Sequence, residues 1–147
     1  MRAAALEVSI EELIIWHAES PGDFFYMLSN TVHAIGAGGS LIEVHPTSDI
    51  SYRLYDYGSP RELYLEDRMA VSRSKPYALG CWHRRVAEGS SRTLVDWPLF
   101  LLDQVDGIPF PEVTERDPGP LLVIPRKGGV EAAGKAISPG AAGWPNA

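Results

Sequence analysis

The stretch that decides the fold is residues 21–36, which read PGDFFYMLSNTVHAIG. Its opening proline, glycine and aspartate favour a tight turn, and the aromatic and aliphatic run that follows is typical of a buried strand. Ser29 and Asn30 then favour a bend before the chain reaches His33. We therefore predict a β-hairpin that presents the His33 imidazole. A lone histidine beside an apolar strand is more often a structural residue than a ligand, so both interpretations stay open at this point.

Further elements are predicted on either side of this stretch. Ser9 and Glu12 form a capping-box pattern, which indicates a short helix. Downstream, the alternation in Leu41–His45 predicts a strand that carries Glu43 and His45 on one face. That face is either exposed to solvent or lines a polar cavity.

Residues 50–58 are rich in aromatic side chains and predict a long strand. Arg53 shares a face of this strand with tyrosines, so it is either an exposed residue stacked on rings or a cation aimed into a site. The proline, glycine and acidic residues of 103–120 predict a loop. The run at 121–125 predicts a buried strand, and 130–137 predicts another strand with a turn at its centre.

Composition excludes several classes of function. The net charge of −6 and the mixed charge pattern provide no basic stripe for nucleic acid and no polybasic patch for a membrane. No apolar run approaches the roughly 20 residues that cross a bilayer. The single cysteine, Cys81, excludes an internal disulfide, suits a reducing cytoplasm and is expected to be an inert, partly buried thiol.

Four consecutive motifs carry a family resemblance: TVHAIGAG, LIEV, SDISYRLYDYG and PRELYLE, all within residues 21–66. Together they resemble the class I mannose-6-phosphate isomerases, particularly the short bacterial forms, and the spacing around His33 resembles the second motif of the cupin barrels. That motif usually has proline and glycine where this chain has Leu28 and Asn30. The resemblance is strong over the first half of the chain and weak over residues 79–147.

The resemblance implies a mainly β fold, a partial antiparallel β-barrel of the cupin type (jelly roll) with a short N-terminal helix. Residues 1–75 would then be the carboxy-terminal part of a catalytic barrel. Residues 76–147 would form a second, incomplete cupin-like barrel.

For function, the resemblance implies a cytoplasmic, zinc-dependent isomerase that interconverts mannose 6-phosphate and fructose 6-phosphate through an enediol. His33 matches the family's carboxy-terminal zinc-binding histidine, Arg53 an arginine beside the substrate, and Glu43 an acidic position that can move a proton between adjacent carbons. Asp49 matches a turn residue. His45 stands where the short forms more often have glutamine, and a second-ligand role for it is the minor alternative.

The metal-ligand count limits this interpretation. A catalytic zinc takes about three protein ligands, and the family draws its others from upstream of these motifs. We therefore expect an isomerase fragment that is inactive alone and binds zinc weakly, with a small-molecule sugar phosphate as the partner. The alternatives are a non-catalytic cupin that binds sugar phosphates and a structural barrel remnant that self-associates through strand edges.

Overall fold

The computed structural model describes residues 9–47, 53–55, 65–73, 75–116 and 121–143. Within these ranges the fold is mainly β, with short helices between short strands. The strands are β1 (Asp23–Phe25), β2 (His83–Arg85), β3 (Arg92–Trp97), β4 (Phe100–Gln104), β5 (Val130–Ala132) and β6 (Lys135–Ile137). The helices are a 3-10 helix (Ser9–Leu13), α1 (Leu65–Val71), α2 (Leu79–Trp82) and α3 (Pro111–Arg116). None of these helices is long and apolar enough to cross a bilayer.

The strands pair two at a time, β1 with β2, β3 with β4, and β5 with β6. Since each strand has one partner, no barrel closes within the described part of the chain, and the predicted jelly roll is not formed there. The short helix predicted at Ser9 is confirmed, as a 3-10 helix of five residues. The chain divides into two compact units. The first unit comprises the chain up to Ser90 together with Trp97–Phe100. The second unit comprises Ser91–Asp96 and the chain from Leu101 onward.

In the first unit, β1 is the strand predicted after the Pro-Gly-Asp turn, but its partner is distant in sequence. It pairs with β2 in antiparallel register, with Phe24 opposite Arg84 and Phe25 opposite His83. The predicted hairpin within residues 21–36 is therefore wrong about the partner strand. Because successive side chains alternate between faces, the Arg84 guanidinium lies 4.9 Å from the centre of the Phe24 ring on one face, while Phe25 contacts His83 on the other.

The bend before His33 is confirmed. The Thr31 amide donates to the Leu28 carbonyl at 3.1 Å, and Asn30 has a positive φ of 67°. Asparagine enters the left-handed region more readily than other residues with a side chain. Asn30 can therefore make this turn.

The strand predicted at Leu41–His45 has no ladder partner among the described residues. Leu41, Ile42 and Val44 are 51%, 53% and 41% exposed, so both faces of the segment are uncovered. Of the strand predicted over residues 50–58, only 53–55 are described, and they lie in no helix or strand.

β3 and β4 pair as a hairpin, most of whose residues belong to the second unit. The loop predicted over 103–120 contains α3, which begins at Pro111, where proline's fixed φ suits the first helical turn. Arg116 Nη2 bonds the Asp103 carboxylate at 2.8 and 3.0 Å, and Asp103 Oδ1 accepts the Thr93 hydroxyl at 2.6 Å. These contacts fix α3 to the hairpin, which the loop-like composition does not reveal.

The predicted turn in 130–137 is confirmed, since β5 and β6 join at Ala133 and Gly134 with φ of 49° and 75°. The buried strand predicted at 121–125 is wrong. It makes one isolated bridge, in which Val123 and Gly143 exchange two backbone hydrogen bonds of 2.9 and 3.0 Å. Leu121 is 39% exposed because no second strand covers it within the described residues.

Candidate functional site

His33 lies two residues after the turn, with its side chain exposed. Its Nδ1 is 2.9 Å from the Thr31 carbonyl oxygen. A carbonyl only accepts, so Nδ1 carries the proton in this arrangement and Nε2 keeps its lone pair. A metal-ligating histidine is usually oriented in this way, through a backbone bond from its other ring nitrogen.

Glu43 and Arg53 are both exposed, Glu43 within the unpaired segment and Arg53 in the described stretch 53–55. Among the described residues, no hydrogen bond or ion pair joins either of them to the other or to His33. The roles assigned to these three residues from the family resemblance therefore stay predictions.

The remaining residues singled out in the sequence are His45, Asp49 and Cys81. His45 is exposed, and its Nδ1 is 2.8 Å from the Pro46 carbonyl oxygen. Asp49 falls outside the described residues. Cys81, expected to be partly buried, is an exposed free thiol.

The described residues do not make a complete metal site. They contain no group of three or more His, Cys, Asp or Glu side chains that could hold a metal ion. His33 and His45 each have Nδ1 beside a backbone carbonyl, whereas a catalytic zinc takes about three protein ligands. The part of the chain that the structure describes therefore does not bring three such ligands together.

The best-defined polar cluster in the described chain is centred on Asp23 of β1. Its side chain is only 4% exposed and accepts three kinds of donor. Arg85 Nε donates to Oδ1 at 3.0 Å, the Ser20 amide donates to Oδ2 at 2.8 Å, and His83 Nε2 lies 3.2 Å from Oδ1. The antiparallel register places these partners, since Arg85 lies directly opposite Asp23.

The cluster keeps Asp23 ionised at neutral pH. The hydrogen bond from Arg85, opposed by the desolvation that burial imposes and supported by His83 and the Ser20 amide, lowers the pKa of Asp23 from 3.8 to about 2. The same hydrogen bond raises the pKa of Arg85. Asp23 is therefore a fixed carboxylate beside the His83 ring.

This cluster is absent from the sequence-based site prediction, in which Asp23 is a turn residue only. No local pattern connects Asp23 with His83 and Arg85, because the pairing of β1 with β2 joins segments about sixty residues apart. The sequence contains only a partial signal for this cluster. Asp23 begins an aromatic strand, and a His-Arg-Arg triplet stands at residues 83–85.

Comparison with curated proteins finds partial matches to mannose-6-phosphate isomerases. Mannose-6-phosphate isomerase ManA of Bacillus subtilis is 38% identical over 98 residues, 61% of this chain and 31% of the relative. The probable mannose-6-phosphate isomerase GmuF of the same organism is 44% identical over 57 residues, 35% of this chain and 18% of the relative. Mannose-6-phosphate isomerase of Streptococcus mutans is 43% identical over 56 residues, 34% of this chain and 18% of the relative.

No family model and no solved structure matches the chain. The chain spans less than a third of the length of the curated relatives it matches. The resemblance found in the motifs is confirmed as a partial relationship to the mannose-6-phosphate isomerases.

Proposed function

We propose, on the premise of this partial relationship, that the chain is the carboxy-terminal portion of a zinc-dependent isomerase that interconverts mannose 6-phosphate and fructose 6-phosphate. The observation that carries the proposal is the 38% identity over 98 residues to an isomerase of that name. We further propose that residues 1–75 contribute to a cupin-type barrel with the catalytic site, that 76–147 contribute to a second barrel, and that the protein works in the cytoplasm.

The chemistry assigns a separate task to each predicted residue. An aldose and its ketose interconvert when a proton moves between adjacent carbons, and the Glu43 carboxylate is of the right type to carry it. The charge of the enediolate that forms needs a fixed cation, and the planar guanidinium of Arg53 supplies one. His33, whose Nε2 is left free by the bond from Nδ1 to Thr31, is the proposed zinc ligand.

A chimaera tests the proposal with a complete ligand set. Residues 21–66 of this chain replace the matching stretch of Bacillus subtilis ManA, and formation of fructose 6-phosphate is followed in a coupled assay together with bound zinc. We expect the chimaera to be active and His33→Ala to lose both zinc and turnover. Arg53→Lys should retain zinc and lower kcat by about 10²- to 10³-fold, since an ammonium lacks the planar fork of donors.

His45→Ala is the matched control. His45 resembles His33 in being exposed and bonded through Nδ1 to a backbone carbonyl. If His45 is not a ligand, its removal should leave zinc content and kcat unchanged. Normal turnover in the His33→Ala chimaera, or an unchanged kcat in Arg53→Lys, would contradict the proposed roles.

A second candidate function is favoured by the uncovered residues 41–44. Exposed apolar side chains in a segment without a partner strand favour association with another chain. This observation supports a structural barrel segment that self-associates.

A further inference from the structure

A solvent-open pocket of about 220 Å³, called the cavity below, lies in the first unit beside the Asp23 cluster. It is lined by Trp16, His17, Ala18, Phe25, Leu79 and His83. None of these residues belongs to the proposed isomerase site. An enclosed apolar cavity of roughly 150 Å³ holds a benzene ring, so the volume of this open one admits a six-membered ring, part of which stays in contact with solvent.

His83 is a polar lining residue of this cavity whose ring orientation is defined by two contacts. Its ring is packed against Phe25, with the ring centres 4.7 Å apart, and its Nε2 faces the Asp23 carboxylate. Because an ionised carboxylate only accepts, Nε2 must carry the hydrogen of that bond. In the neutral imidazole, Nδ1 then has a lone pair, and no described residue donates to it.

The charges around the cavity select against anions. Asp23 is negative and adjoins His83, and the guanidinium of Arg85 is bonded to Asp23. No lysine or arginine lines the cavity. A phosphate or carboxylate placed there would have no free cation to pair with. Only the His83 ring would separate it from the negative charge of Asp23.

We propose that this cavity binds a neutral six-membered ring that carries a hydroxyl group, with the hydroxyl donating to His83 Nδ1 and the ring lying against Trp16 and Phe25. Aromatic side chains offer their faces to flat or apolar ring surfaces, and one oriented acceptor fixes the direction of the ligand. Phenols and hexopyranosides share this chemistry. The cavity would bind such a ring whether or not the chain belongs to an active isomerase.

The test is titration of the full chain by NMR at about pH 8, where free imidazole is neutral. The probes are phenol, methyl α-mannopyranoside and benzoate. Phenol or the mannoside, or both, should give saturable shifts at His83, and the one that binds identifies the ring as aromatic or saccharide. Benzoate has the ring of phenol without the donor and with a negative charge, and it should not bind.

Two variants assign the acceptor. His83→Phe keeps a ring on Phe25 and removes the acceptor, so the affinity should fall about tenfold or more. His17→Phe is the matched control, since His17 lines the same cavity without a bond to Asp23, and it should change the affinity less than about threefold. Equal losses in both variants, or none in His83→Phe, would overturn the assignment.

A measurement on the unsubstituted chain covers the case in which His83→Phe does not fold. The ¹⁵N shifts of His83 should show hydrogen on Nε2 and a bare Nδ1, and the Nδ1 signal should move when the hydroxylated ring binds. Hydrogen on Nδ1, tight binding of benzoate, or no saturable shift with either hydroxylated probe would refute the proposal.

Discussion

At the scale of single residues, Gly22 shows how one backbone position permits the pairing of β1 with β2. It has a φ of 90°, and an added Cβ would lie 2.6 Å from the Val86 carbonyl oxygen. The Val86 backbone is held beside Gly22, because the Val86 amide donates to the Gly22 carbonyl at 2.8 Å. Gly22→Ala should therefore destabilise the first unit by more than the roughly 1–2 kcal/mol that a left-handed alanine costs.

Gly38→Ala is the matched control in urea unfolding. Gly38 has nearly the same φ, 87°, but nothing lies within 4 Å of an added Cβ. It should show the backbone strain alone. Equal losses of unfolding free energy in the two variants would mean that the contact with Val86 does not constrain Gly22.

The second prediction at this scale concerns Asp23, which should make the stability of the chain depend on pH. Its pKa is about 2 in the folded chain against 3.8 as the usual value, so its stabilising contribution is complete above about pH 5 and is lost as the pH falls towards 2. Asp23→Asn removes this dependence. In urea unfolding at stepped pH, the difference in unfolding free energy between the unsubstituted chain and Asp23→Asn should shrink between about pH 5 and pH 2. A difference that stays constant would show that Asp23 is not ion-paired.

The residue scale also shows how far sequence reasoning reaches. The position of His33 after a bend was predictable, because Ser29, Asn30 and the spacing are local signals. The surroundings of Asp23 were not, because the strand that contacts it comes from another part of the chain and His-Arg-Arg has no local signature. Local chemistry fixes turns, and only long-range pairing fixes which side chains meet.

At the scale of elements, the turn between β5 and β6 contains backbone strain that a substitution can relieve. Both central residues of its turn have positive φ, and Ala133 adopts 49° without a side chain suited to it. Asparagine followed by glycine is the preferred pair in such a turn. Ala133→Asn should therefore raise the unfolding free energy by roughly 0.5–1 kcal/mol.

Ala136→Asn is the control for this hairpin. Ala136 is exposed like Ala133 but lies in β6 opposite Glu131, where asparagine is disfavoured, and it should not stabilise the chain. Urea midpoints of the two variants decide the matter. A lower midpoint for Ala133→Asn would show that the turn is not the conformation that limits stability.

At this scale, the sequence predicted the elements whose signals are local. It missed the elements whose formation depends on contacts with distant residues. The turn at Gly134 was predictable from sequence. Helix α3 was not, because its composition is that of a loop and its place depends on the bonds of Arg116 to Asp103. The segment at 121–125 was misassigned for the opposite reason, since an apolar run becomes a buried strand only when neighbours cover it.

At the scale of the whole molecule, net charge and exposed apolar surface oppose each other. The chain carries a net charge of −6 at pH 7 and has a pI near 5.1. Mutual repulsion at neutral pH keeps copies apart, whereas the exposed Leu41, Ile42 and Val44 favour contact between them. Self-association should therefore increase as the pH approaches 5.1, where the repulsion disappears.

Sedimentation velocity over a range of protein concentration tests this expectation. The average mass should rise with concentration, and it should rise more steeply at pH 5.1 than at pH 7. The double variant Leu41→Ser with Ile42→Ser should reduce the effect, because it removes apolar side chains from both faces of the unpaired segment. Ile15→Ser is the matched control: Ile15 is 69% exposed but lies outside that segment, so it should leave the association unchanged. If the control reduces association as much as the double variant, the attraction is a general property of the apolar surface, and residues 41–44 are not the edge through which copies pair.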